Sequence, residues 1–290
     1  MKFILIFLFL KGEYALEFLK FGAGAREISL SNSDIVLLSP SSAPLYNPAC
    51  AISDNFSIML NKSYAFDGIM EYNYLGFCLP LFKKIYLSSG FLILNIPDIP
   101  FYSKEIEPGD TNFYPPEKYF DFSQRAFLLN FSHKKFPFGI NFKIINQKML
   151  EAKGKGIGFD FGTRYSKFTK FGNFYFGFVL KDIGGTKVSW GDRERGEESP
   201  AYHFGFCYSK SFNFLNLKIF SNTFYDYDLY NSFGVESSFF ETLFLRIGFL
   251  YFDYFSIGIG LKFKFFDVDY GFKKNVIGVV HSISLTFNKI

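Results

Sequence analysis

The chain of 290 residues carries 44 Phe and 19 Tyr but a single Trp; 20% of its residues are charged and its net charge is +4. The charge is modest and scattered, which excludes a nucleic-acid face built from a basic block, and Cys50, Cys78 and Cys207 lie too far apart for a CxxC pair or a metal-ligand set. The one uninterrupted apolar run, Phe3–Leu10, is far shorter than the ~20 residues a transmembrane helix needs, so a chain of this kind that crosses a membrane crosses it with strands.

Met1-Lys2 followed by Phe3–Leu10 has the charge-then-apolar order of a secretory signal. Ala15 closes a possible cleavage site, with Glu13 a poor match at its −3 position. The expected division is residues 1–16 as signal peptide, 17–53 as an N-terminal plug segment and 54–290 as a transmembrane β-barrel.

From residue 54 the chain alternates with a period of two. Phe136, Phe138, Ile140, Phe142 and Ile144 alternate with Gly139, Asn141 and Lys143. Ile157, Phe159, Phe161, Thr163 and Tyr165 alternate with Gly158, Asp160, Gly162 and Arg164. Tyr202, Phe204, Phe206 and Tyr208 alternate with His203, Gly205, Cys207 and Ser209. Phe255, Ile257, Ile259, Leu261, Phe263 and Phe265 alternate with Ser256, Gly258, Gly260, Lys262 and Lys264, and Ile283, Leu285 and Phe287 alternate with Ser282, Ser284 and Thr286. Each segment has two faces in different environments. A soluble sandwich would mix side-chain sizes on its apolar face. Here that face is Phe after Phe and the other is Gly, Ser, Lys, Arg and Asp, the pattern of a barrel with a lipid-facing exterior.

The expected fold is all-β: an antiparallel transmembrane barrel of fourteen strands near 55–66, 68–79, 84–95, 119–133, 136–149, 155–168, 172–183, 200–210, 213–225, 229–239, 242–252, 254–264, 266–273 and 278–288. The segments at 84–95 and 119–133 alternate least clearly. The two longest connections, 96–118 and 184–199, both follow odd-numbered strands and fall on one side, as the extracellular loops of such a barrel should. An even strand count puts both chain ends on the periplasmic side.

Several phrases resemble those of the PorV/PorQ family of outer-membrane proteins. Glu17 to Arg26 (EFLKFGAGAR) is similar to its opening phrase, and Leu45-Tyr46-Asn47-Pro48-Ala49 to the phrase that follows. Tyr72 to Phe77, Gly156 to Gly162, Gly177 to Gly184 and Ser282 to Phe287 resemble its barrel strands. That family is related to the FadL-type channels, which have fourteen strands and an N-terminal segment inside the barrel. The resemblance implies plug-motif roles for Phe18, Leu19, Gly22, Gly24, Ala25, Arg26, Tyr46, Asn47, Pro48 and Ala49. Departures are Ser29, Ser31 and Ser33 where the family has glycines, Ser41-Ser42 where it has an acidic pair, and an ending Phe287-Asn288-Lys289-Ile290 that displaces the terminal aromatic.

The remaining chemistry is sparse. Gly154-Lys155-Gly156-Ile157-Gly158 lacks P-loop spacing and reads as a glycine-rich barrel turn. His133, His203 and His281 have no ligand spacing, and no catalytic motif selects a nucleophile, so neither an enzyme nor a bound cofactor or metal is expected. Lys143, Asp160, Arg164, Arg246, Lys262, Lys264 and Asp269 form the expected lumen lining, read as ion pairs that hold the plug. Trp190, Arg193 and Arg195 in the charged loop 190–198 are the expected partner-binding residues. Expected partners are outer-membrane lipids and lipopolysaccharide, with secreted proteins or secretion machinery on the loops. The implied role is an accessory in protein secretion, type IX by the resemblance, and the alternative is a FadL-like channel for hydrophobic small molecules.

Overall fold

In the computed structural model, residues 16–102, 115–191, 194–251, 254–275 and 278–288 are described. Residues 1–15 of the expected signal peptide lie outside them, as does Arg193. The alternating segments are strands: β1 (Ser57–Ala65), β2 (Met70–Phe82), β3 (Ile85–Phe101), β4 (Lys118–His133), β5 (Phe138–Met149), β6 (Ala152–Thr169), β7 (Gly172–Lys181), β8 (Thr186–Trp190), β9 (Glu194–Glu198), β10 (Ala201–Ser211), β11 (Leu215–Tyr225), β12 (Leu229–Phe239), β13 (Leu243–Leu250), β14 (Tyr254–Lys262), β15 (Phe266–Asn275) and β16 (Gly278–Asn288). Every pairing is antiparallel; all join chain neighbours except β6–β8, β7–β10 and the closing seam, where Ser57–Ala65 of β1 meets Asn288–Val280 of β16. β8 and β9 continue β7 and β10 beyond a break, so the closed wall has fourteen staves.

The wall is inside out relative to a soluble sheet. On β5, Phe138, Ile140 and Ile144 face outward and exposed, while Asn141, Lys143 and Gln147 are buried. Exposed Ile157, Phe159, Phe176, Phe204, Ile219, Ile257, Ile259 and Ile283 continue the outer apolar surface around the ring. A closed barrel satisfies every wall N–H and C=O between strands, the condition for backbone in hydrocarbon. No helix among the described residues is long and apolar enough to cross a membrane.

Connections at the β1-start end are tight, at 83–84, 134–137, 170–171, 212–214, 240–242 and 263–265. The opposite end carries the 102–117 connection and the β8–β9 hairpin. Short turns mark the periplasmic side and long ones the extracellular side.

The structure corrects four expectations. The segment 184–199 is not an open loop but a hairpin whose Lys187–Trp190 pair with Gly154–Ile157 of β6. The reason is length: β6 has 18 residues and β7 only 10, so the top of β6 would be a bare edge without β8. For the same reason Gly154–Gly158 lies in a strand rather than a turn. β3 runs on to Phe101, which shortens the loop after it. Finally, the Phe136 and Phe263–Phe265 alternation runs past the strand ends, where Phe138 N donates to Phe136 O and Phe263 N to Phe266 O and the chain turns.

Residues 16–56 are not part of the wall. They form short helical turns at Glu17–Lys20, Ala25–Ser29, Ala43–Tyr46 and Pro48–Cys50 and lie against the inward faces of the strands. With apolar side chains of β1 to β5 and β8, including Tyr72, Tyr86, Leu92 and Leu128, they build one core; a smaller one joins Leu30, Ile35 and Val36 to Val179, Cys207 and Phe220. The weak alternation of β3 and β4 follows from this, because there both faces are apolar: one meets lipid and the other meets the segment.

Candidate functional site: the lumen and its N-terminal segment

Small residues on the wall are what let the segment seat. Five cross-strand glycine pairs occur in register: Gly76–Gly90, Gly139–Gly162, Gly177–Gly205, Gly234–Gly248 and Gly258–Gly271. At all of them except Gly90, an added Cβ would meet an atom of the segment at 2.1–2.6 Å. Gly271 faces Ala25 O, Gly248 the Leu30 carbonyl carbon and Gly139 the Pro48 carbonyl. Three serines of the segment lie in this seat. Ser29 lies on Gly258, Ser33 on Gly234, and Ser31 shares a 2.8 Å hydrogen bond with Ser256.

Polar side chains of the wall then bond the segment's backbone. Asn130 Nδ2 donates to Pro48 O (3.2 Å), Tyr74 Oη to Ser41 O (2.8 Å) and Ser256 Oγ to Ser29 O (2.9 Å); Ser132 and Asn141 donate to Ala51 O and Pro44 O. Ala25 N donates to Ser284 Oγ at 2.7 Å. The two sequence phrases meet each other. Tyr46 Oη accepts from Ala23 N (2.7 Å), beside Gly22 and Gly24, and Asn47 bridges Ile35 O (2.8 Å) to Thr163 O of the wall (3.1 Å). Phe18, Leu19, Pro48 and Ala49 are buried in the same packing.

Charge completes the seat. Arg26 lies 2.9 Å from Glu236 and 2.9 Å from Asp34. Glu236 also receives Lys218 at 2.7 Å and Arg246 at 2.8 Å, and Arg246 reaches Asp269 at 2.6 Å. A second set joins Lys143 to Asp160 (2.8 Å) and Asp182 (2.6 Å). Ser42 Oγ donates to the buried Glu27 carboxyl at 2.8 Å. Of the expected lining, Lys143, Asp160, Arg246 and Asp269 therefore act as ion-pair members, and Arg164 shares the inward face of β6. Lys262 and Lys264 are exposed at the periplasmic mouth, and Lys264 stands in a turn with its ammonium 5.0 Å from the Phe265 ring centre. Glu236, Asp34, Asp182 and the glycine pairs went unnoticed in the sequence, although two glycines per hairpin were there to be read.

Of the expected partner-binding residues, Trp190 is turned inward onto Gly154 and packs against the larger core. For Arg195 only the backbone, in β9, is described.

The segment runs the length of the lumen, from Leu16 near the extracellular loops to Ser57 at the periplasmic end, and a cavity lies at each end. The periplasmic one, about 420 Å³, is bordered by Lys262, Asp267 and Asn288. The extracellular one, about 300 Å³, has apolar Leu19, Ile35, Leu45, Leu128, Phe224 and Leu250 among its lining, together with Lys181 and Lys273 and the ion-paired acids.

An apolar exterior, a closed fourteen-stave wall, short turns at one end and a polar, partly filled interior define a transmembrane β-barrel of the outer-membrane class, and the outer membrane is where such a barrel resides. Among solved structures, the chain is similar to the toluene transporter TodX of Pseudomonas putida, with 12% identity over 91% of this chain and 96% of that one and a TM-score of 0.55. It is also similar to a TodX ΔS2S3 mutant, a monoaromatic hydrocarbon channel, with 10% identity, 92% and 99% coverage and a TM-score of 0.54. At this identity the likeness is one of fold: a closed outer-membrane β-barrel. No family model and no curated protein matches the chain, and nothing in these likenesses points to the PorV/PorQ family in particular.

Proposed function

We propose that this barrel conducts hydrophobic small molecules across the outer membrane. The observation that carries this is the extracellular cavity of about 300 Å³, where Leu19, Ile35, Leu45, Leu128, Phe224 and Leu250 form an apolar part of a mixed lining above the N-terminal segment. A dry apolar cavity of ~150 Å³ is enough to hold benzene, so a monoaromatic fits with room to move. The fold shared with a structure described as a toluene transporter supports the same reading. Asp160, Asp182, Glu198 and Asp226 of the lining are held by Lys143 and Lys20, and Lys181 donates to Leu45 O, which leaves the apolar side chains to meet a solute.

The test is uptake of a labelled aromatic hydrocarbon into proteoliposomes. Wild-type protein should exceed protein-free vesicles, and Ala201→Trp with Leu250→Trp, which fill the cavity, should abolish the excess. Uptake equal to that of empty vesicles, or unaffected by filling, would sink the reading. The alternative role in secretion draws its support from the sequence phrases alone, and the apolar residue expected to serve it, Trp190, is committed to the interior.

A further inference from the structure

We infer that the mature chain begins at Leu16, and that its α-ammonium completes a buried carboxylate cluster at the extracellular end of the lumen. Glu17, Glu198 and Asp226 bring carboxylate oxygens within 4.8 Å of one another. The Glu198 and Asp226 side chains are 3% and 5% exposed. One cation serves all three: Lys20 Nζ lies 2.6 Å from Glu17 and 3.3 Å from Glu198, and also contacts Asp226. Glu17 is half exposed, but the two buried carboxylates share one ammonium with it, in a place where unpaired charge is costly. Asp226 Oδ1 is buried with no hydrogen-bond partner.

The Leu16 nitrogen already stands in this cluster. It donates to Glu198 Oε2 at 2.9 Å, and Leu16 itself is 2% exposed within the larger core. As a peptide amide that nitrogen offers one hydrogen and no charge. As an α-ammonium it offers three hydrogens and a full positive charge to Glu198 and to the carboxylates clustered with it. The residue before it is Ala15, small as a leader-peptidase site requires, and upstream stands the charge-then-apolar order of a secretory leader. In the reaction, water adds across the Ala15–Leu16 peptide bond, leaving a carboxylate on Ala15 and the ammonium on Leu16; the peptidase is that of the export pathway. Removing the leader thus creates the charge that fastens the segment to Glu198 of β9. This holds whatever solute the cavity carries, and it moves the expected boundary by one residue, because Leu16 belongs to the folded protein.

The first test is N-terminal sequencing of the protein purified from outer membranes. The expected first residue is Leu16; Met1 or any other start overturns the inference. The second is acylation of the α-amine of the folded protein near neutral pH. A carboxylate that raises the amine's pKa by one unit slows labelling about tenfold, so Glu198→Gln should label about ten times faster than wild type, with Asp226→Asn in between. Equal rates in all three folded proteins would remove the ion pair from the account. Folding of each is checked by its mobility shift on heating, and the sequencing result stands without any variant.

Discussion

Gly248 faces Leu30 so closely that a Cβ built on the glycine would stand 2.3 Å from the Leu30 carbonyl carbon. Both partners are backbone, so no side chain can swing aside. Gly248→Ala should therefore lift the segment from its seat or strain the wall, at about 1–3 kcal/mol, the usual cost of overpacking. The check is the unfolding midpoint in detergent, with proteolysis of residues 16–56 alongside. Gly139→Ala, against the Pro48 carbonyl, should behave alike; unchanged midpoints in both would mean that the segment is not seated where it is drawn.

Glu236 is the one acid shared by Arg26, Lys218 and Arg246. Glu236→Gln removes the charge while keeping the shape, and leaves three cations facing one another. Breaking a buried pair from one side costs about 3–5 kcal/mol, and the loss should exceed that of Asp269→Asn, which deprives only Arg246. Equal losses in the two variants would show that the charges are not coupled through Glu236.

Lys143 ties Asp160 of β6 to Asp182, in the break between β7 and β8 where Gly184 and Gly185 take φ of 78° and 82°. Lys143→Met leaves two adjacent buried carboxylates, and the β8–β9 hairpin should loosen. Protease added outside intact cells should cut within residues 186–198 faster in this variant. Adding Asp182→Asn should restore part of the resistance. A hairpin no more sensitive than wild type would contradict the role given to Lys143.

At the periplasmic end, Lys134 Nζ donates to Asp54 at 2.7 Å, and this bond holds the exposed Asp54 carboxyl below its usual range. A carboxyl whose pKa is lower folded than unfolded adds stability above the unfolded value and loses it as pH falls through the folded one. Asp54→Asn should therefore differ from wild type at neutral pH, and the two should converge in acid below about pH 4. Because the pair is exposed, ~1 M salt should also erase the difference. Midpoints measured across pH and salt decide this.

The barrel was legible because lipid outside and packing inside impose different chemistry on alternate residues, as Phe138, Ile140 and Ile144 against Asn141 and Lys143 show. Legibility failed where that contrast stops. Phe263 and Phe265 keep the rhythm beyond the last wall bond of β14, since an aromatic at the membrane interface is as welcome in a turn as in a strand. The β8–β9 hairpin hid behind its charges, although Thr186, Val188 and Trp190 alternate with Lys187 and Ser189. The ion pairs could be named only by half: Lys143, Asp160, Arg246 and Asp269 sit on alternating faces, but Asp182 stands in a break and Asp34 in the segment, where no period marks them.

The seam between Ser57 and Asn288 also sets an order of assembly. Until β16 is present, β1 and β15 have open edges, and an open edge in hydrocarbon leaves backbone groups without partners. The wall cannot shut until β16 is in place. Residues 16–56 must by then be inside, because their seat is a ring that closes around them. The segment and the closing strand are thus committed in one event, and a chain lacking β16 would forfeit the seating of residues 16–56 along with the final stave.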